Sequence, residues 1–275
     1  MSKAKLSKTK KIIIVAVCVL VFLVLWFMFV GYQWSWGPFV KLHDYKVSSL
    51  EGNSQQYSLD YVETQDGSIL KDKNIIFLGS SVTYGSASKG VTFADYIGKR
   101  NGCNVIKEAV SGTTLVDEGI NSYISRLSKL DCSNAQLLVC QLSTNDATQK
   151  KELGEVSDSM NIEDFDTHTV AGAVEYIIAF SKEKWNCPVI FYTNPKYDSD
   201  NYGKMVDLLN DIQKKWDIGV IDLWNNAEFN NITEQQRTLY MADEIHPTQA
   251  GYLEWWTPSM EKYIINFMEH SNESN

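Results

Sequence analysis

NIIFLGSSVTYG, residues 74–85, opens with a candidate strand, NIIFL (74–78), apolar from Ile75 to Leu78, and passes directly into a turn of glycine and serine. Four further runs share its character: NVIKE (104–108), AQLLVCQL (135–142), PVIFYT (188–193) and GVIDL (219–223). Several are apolar at successive positions, as strands covered on both faces must be. Longer amphipathic stretches separate or follow them, predicting helices at about 92–100, 120–130, 169–185, 202–216 and 249–268. Alternation of this kind predicts an α/β fold, a three-layer sandwich with a five-stranded parallel sheet at its centre. In the last helix Tyr252, Trp255, Trp256, Met260, Tyr263, Ile264 and Phe267 recur mostly at spacings of three and four, a core-facing stripe, and Pro258 predicts a kink.

The chain has 275 residues, 44% hydrophobic and 21% charged, enough for one sizeable domain with appendages. Its net charge of -9 is unevenly spread: residues 1–31 hold five lysines and no acid, leaving 20 basic against 34 acidic residues beyond them. An anionic body lacks the basic footprint that phosphate backbones require, so no nucleic-acid partner is expected.

From Ile12 to Val30 run nineteen consecutive apolar residues, which as a helix rise about 28 Å and match the hydrocarbon thickness of a bilayer. A cleaved signal peptide has a shorter apolar region of roughly 7 to 15 residues, with small residues before the cut, where this chain has Trp26, Phe27 and Phe29. A retained anchor is the better reading. Lys3, Lys5, Lys8, Lys10 and Lys11 precede the span and Tyr32, Trp34, Trp36 and Phe39 follow it like an interfacial belt, so the N-terminus is expected in the cytoplasm and the body outside. The expected organisation is a basic tail (1–11), a transmembrane anchor (12–31), a polar stalk (32–72), the α/β domain (73–268) and a frayed tail (269–275).

In a sheet of this kind ligands gather at the carboxyl ends of the strands. Gly79-Ser80-Ser81-Val82 follows the first strand, Ser111-Gly112-Thr113 the second and Ser143-Thr144-Asn145-Asp146 the third; Asp243-Glu244-Ile245-His246-Pro247 precedes the last helix. A hydroxyl, a flexible backbone donor, a neutral amide donor and an acid-x-x-imidazole unit are thus predicted to meet at one edge. Those are the parts needed for acyl transfer.

Taken in this order, the four segments resemble the SGNH, or GDSL, hydrolases. Their Gly-Asp-Ser-hydrophobic block is matched by Gly79 through Val82, their second-block glycine by Gly112, their Gly-x-Asn-Asp by Ser143 through Asp146, and their Asp-x-x-His-Pro by Asp243 through Pro247. Two positions depart from the pattern, Ser80 and Ser143. The resemblance implies an SGNH hydrolase-like domain with a catalytic triad of Ser81, His246 and Asp243. It also implies an oxyanion hole made by the backbone N–H groups of Ser81 and Gly112 with the Asn145 amide. It implies no cofactor and no metal. The chemistry is coherent on its own terms, since a serine hydroxyl needs a neighbouring base and the developing oxyanion needs oriented donors.

Joined to an outward-facing anchor, these features lead us to expect a serine esterase removing O-acetyl or other short acyl groups from a cell-envelope carbohydrate. An O-acyltransferase with the same triad, served by a membrane acyl-transfer partner protein, is the alternative, and a catalytically silent glycan-binding or scaffold module the third. Exposed aromatics at Tyr84, Tyr197 and Tyr202 would suit the last. No G-x-S-x-G elbow, Walker A loop or G-x-G-x-x-G occurs, and His43, His168 and His270 form no metal-binding pair. Cys18 lies in the span; Cys103, Cys132, Cys140 and Cys187 are left with pairing open.

Overall fold

A computed structural model describes residues 7–33, 37 and 39–273. The chain forms two compact units, Met1–Ser49 and Leu50–Asn275. In the first, α1 (Lys8–Gln33) is a single apolar helix whose side chains from Ile12 to Phe29 stand largely exposed. Its stretch Lys8–Gly31 is long and apolar enough to cross a membrane. A second helix, α2 (Phe39–Ser49), follows, with Phe39 against Phe27 at 6.5 Å between ring centroids. Lys3, Lys5, Trp34 and Trp36 of the expected interfacial pattern lie outside the described residues.

The second unit is the expected α/β sandwich. Its strands are β1 (Asn74–Gly79), β2 (Asn104–Ala109), β3 (Leu137–Gln141), β4 (Val189–Tyr192) and β5 (Gly219–Ile221), all parallel and ordered β2-β1-β3-β4-β5. The order reverses at β1, which pairs with β2 on one side (Gly79 opposite Ala109) and β3 on the other (Leu78 opposite Cys140). The carboxyl ends of β1, β2 and β3 are therefore adjacent, and the crevice of the sheet opens there. Helices in chain order are α3 (Ser81–Tyr84), α4 (Phe93–Asn101), α5 (Tyr123–Leu127), α6 (Thr144–Thr148), α7 (Val170–Phe180) and α8 (Asp200–Trp216). They are followed by α9 (Ala227–Asn230), α10 (Glu234–Tyr240) and α11 (Thr257–Glu273).

Residue alternation along each strand sorts the core into two layers. Ile76 and Leu78 of β1 join Leu138, Phe191 and Val220 under α5, α7 and α8. Ile75 and Phe77 join Leu137, Ile190 and Ile221 on the opposite face, under α4 and α11. That second layer is aromatic: Phe93 lies 5.1 Å from Tyr192 edge-on and 5.8 Å from Trp256 in a stack. The stripe predicted for the last helix is thus core. The kink expected near Pro258 takes the form of a π-helical turn, Gly251–Trp256, closed by the Thr257 N–H on the Tyr252 carbonyl and running straight into α11.

Several boundaries move. The predicted helix 120–130 contracts to Tyr123–Leu127, because Gly119 takes a left-handed φ of +88° and Ser122 caps the helix from outside. The tail expected to fray from residue 269 instead continues α11 to Glu273. Of the segment expected as a stalk (32–72), Phe39–Ser49 is helix α2 in the first unit, and the part from Leu50 on belongs to the second. From Leu50 the chain winds through three short 3-10 turns that bury Asn53, Tyr57, Val62 and Leu70 against the domain. Asn53 donates its amide to the Ala87 carbonyl (2.8 Å) and accepts the Gln249 N–H (2.8 Å). A Cβ on Gly52 would collide with the Leu239 carbonyl. Serine, glycine and asparagine read as linker composition, yet here they let the backbone lie flat on the body. Tyr202, expected at the surface, is fully buried, its hydroxyl donating to the Leu142 carbonyl (3.0 Å).

Candidate active site

β1 ends at Gly79, where a side chain would strike Thr83, so the strand can turn at once into the one-turn helix α3. Gly85, at a left-handed φ of +86°, closes that helix. Beneath the turn lies Gln141, the last residue of β3. Its Oε1 accepts the Ser80 N–H (2.9 Å), the Thr83 hydroxyl (2.9 Å) and the Ser80 hydroxyl (3.3 Å). Ser80 therefore fits its departure from the family pattern: it is wholly buried and bonded to a neutral amide oxygen.

This turn presents Ser81. Its Oγ is 2.8 Å from His246 Nε2. His246 Nδ1 is in turn 2.8 Å from Asp243 Oδ2 and 3.0 Å from Oδ1. Asp243 Oδ1 also accepts the backbone N–H groups of Ile245 and His246, each at 2.8 Å. Although partial burial pushes its carboxyl up, the His246 side chain and those two N–H groups outweigh it and hold Asp243 down at about 2. An ionised Asp243 only accepts, so Nδ1 donates to it; in the neutral ring this leaves Nε2 to accept the Ser81 hydroxyl. The loop is held from both ends: Met241 bridges Pro247, and Asn194, buried after β4, donates its amide to the Ile245 carbonyl (3.1 Å).

The segments that follow β2 and β3, the strands flanking β1, carry Gly112 and Asn145. Ser143, the second departure, is the N-cap of α6, its Oγ accepting the N–H groups of Asn145 (3.2 Å) and Asp146 (3.4 Å). One N–H of the Asn145 amide donates to the Thr113 carbonyl (2.9 Å), tying α6 to the Gly112 loop. The buried Asp146 carboxylate accepts the N–H groups of Leu115 (2.8 Å) and Val116 (3.2 Å), fixing the same loop further on; burial raises its pKa, partly countered by those bonds. Gly112 has φ +80° with open space before it. Among the described residues no hydrogen bond joins Ser81 to Gly112 or Asn145; the Ser81 N–H, first in α3, has no partner within its own helix.

Three contributors were not singled out from the sequence, Gln141, Asn194 and Arg126, and Asp146 was quoted only as the end of the third block, without a role. Arg126 is only 6% exposed and donates to the Gly79 carbonyl (2.8 Å), the Glu108 carbonyl (2.8 Å) and Thr113 Oγ1 (3.3 Å). It thereby pins the ends of β1 and β2 to the Gly112 loop. A lone amide inside the apolar run AQLLVCQL was the available signal for Gln141; Arg126 gave none beyond its place in a predicted helix.

Residues 77–253 match the family model of the GDSL-like lipases and acylhydrolases. The chain belongs to this GDSL-like lipase/acylhydrolase family. It is accordingly a serine hydrolase of the ester-cleaving kind. Solved structures of low sequence identity share the fold. A Lactobacillus plantarum protein is 16% identical over 73% of this chain and 98% of its own, with a TM-score of 0.59. A Chitinophaga pinensis protein provisionally named a lipase is 15% identical over 72% and 98%, with a TM-score of 0.54. A Bacteroides ovatus protein provisionally named a GDSL-like lipase is 19% identical over 72% and 98%, with a TM-score of 0.51. No curated protein sequence matches the chain.

Proposed function

We propose that this GDSL-family hydrolase removes O-acetyl or other short acyl groups from a cell-envelope carbohydrate through an acyl-enzyme on Ser81. The observation that carries the reading is the unbroken chain Ser81 Oγ to His246 Nε2 (2.8 Å) and His246 Nδ1 to Asp243 Oδ2 (2.8 Å). As Ser81 attacks the ester carbonyl, His246 takes its proton, and Asp243 stabilises the imidazolium formed. His246 then returns that proton to the departing sugar oxygen as the C–O bond breaks. Water attacks the acyl-serine, with His246 again the base, and the acid leaves. The carbonyl oxygen, negative at each tetrahedral stage, is held by the N–H groups of Ser81 and Gly112 and the second N–H of Asn145.

The apolar helix α1 supports the carbohydrate assignment: as a single-pass anchor it would hold the catalytic unit on the outer face, within reach of acylated glycans of the envelope. The test is acetate release from acetylated polysaccharides, measured with and without an added unacetylated sugar acceptor. Free acetate from wild type and none from Ser81→Ala is expected. Acetyl groups passing to the acceptor rather than to water would instead establish a transferase.

A further inference from the structure

Beside the triad lies a cavity of about 610 Å³, within the range of small-ligand sites. It is lined by Glu244 and Ile245, which lie between Asp243 and His246 in the triad's own loop, and by Ala147, Thr148 and Lys150, which follow Asn145 along and just beyond α6. The lining thus comes within one residue of the proposed base along the chain, at Ile245, and within two of Asn145, at Ala147. The rest of its lining comes from the segment after β4, including Tyr197, Asp198 and Asn201. Tyr197 is set in place edge-on against Trp224 (5.4 Å between centroids), and Asn201 by a bond to the Ala147 carbonyl (3.3 Å).

Two properties of the lining restrict what can occupy it. Ala147, Ile245 and the Tyr197 ring are its apolar members, so an acyl chain would leave polar walls unsatisfied, whereas a molecule rich in hydroxyls would meet donors and acceptors throughout. Three carboxylates, Asp198, Asp200 and Glu244, outnumber the one cation, Lys150. An anionic ligand would meet like charge there, and a neutral or amine-bearing one would not. We propose that this groove binds the alcohol portion of the ester and selects neutral or amine-bearing sugars over uronates and phosphorylated glycans. The inference rests on the esterase reading above and adds the class of sugar that the site accepts.

Steady-state hydrolysis by the full chain on acetylated glucomannan, acetylated polygalacturonan and p-nitrophenyl acetate tests it. The groove predicts kcat/KM about tenfold higher on the neutral polymer than on the anionic one, the size expected of a few exposed charges. It also predicts that Asp198→Asn/Asp200→Asn, checked for folding by its melting curve, narrows the gap to about threefold or less by raising activity on the polygalacturonan, as added salt would. Equal rates on the two polymers, or a gap that the double variant leaves untouched, would overturn the assignment. Hydrolysis of p-nitrophenyl acetate with neither polymer turned over would overturn it while leaving the esterase standing. Failure on all three substrates removes the esterase reading and this one with it.

Discussion

Ser81 and Asn145 are asked to contribute different amounts. Ser81→Ala removes the bond-forming atom, so acetate release should vanish. Asn145→Ala should lower kcat by about 10²- to 10³-fold, the usual cost of one oxyanion donor, with KM changed far less. A KM effect alone would assign Asn145 to holding the Gly112 loop through its Thr113 bond. Asp243 makes a pH-dependent contribution as well. Its folded value of about 2 lies below its ordinary 3.8, so it stabilises the fold above about pH 4 and loses that contribution as pH falls toward 2. The gap in melting temperature between wild type and Asp243→Asn should therefore be constant at neutral pH and shrink through that acid window; a gap unchanged down to pH 2 would contradict the hydrogen-bonded geometry. The catalytic residue types were readable because each stands at the end of a predicted strand or in an Asp-x-x-His unit. Gln141 and Asn194 were not, nor was the role of Asp146, since their value lies in bonds to segments far away in sequence.

Strands were the most legible elements, because burial on both faces writes itself as consecutive apolar residues. β1 and β2 each run one residue past the predicted end, to Gly79 and Ala109, whereas the other three strands are shorter by two or three: the run 135–142 supplies β3 only from Leu137 to Gln141, beyond which Ser143 already caps α6. The one-turn helices α3 and α6 were invisible, being too short for any periodicity to register. These short helices depend on packing for their position, and Arg126 is central to it. Removing its guanidinium takes a buried donor from the Glu108 carbonyl and leaves the Gly79 carbonyl with only the Val110 N–H (3.3 Å), at the ends of β2 and β1. Arg126→Ala should accordingly cost about 3 kcal/mol in urea unfolding and depress kcat in the folded fraction. Loss of stability below about 0.5 kcal/mol would show that the strand ends hold themselves.

At the scale of the whole chain, the sandwich and its apolar leader helix were both evident in the sequence, and the junction between them was misplaced. Residues 50–72 look like a linker by composition, but Asn53, Tyr57, Val62 and Leu70 are buried in the domain. A truncation beginning at Leu50 should fold, remain soluble and keep its esterase activity; one beginning at Lys73 should lose that covering and melt several degrees lower or fail to fold. Equal stability of the two would restore the stalk. The central claim concerns a single alcohol activated by an imidazole. Intact-mass and peptide analysis after treatment with a fluorophosphonate tests it most directly. The account predicts one adduct, on the peptide carrying Ser81, formed by wild type, absent in Ser81→Ala and formed far more slowly in His246→Ala. An adduct on a different residue, or labelling at the wild-type rate without His246, would contradict it.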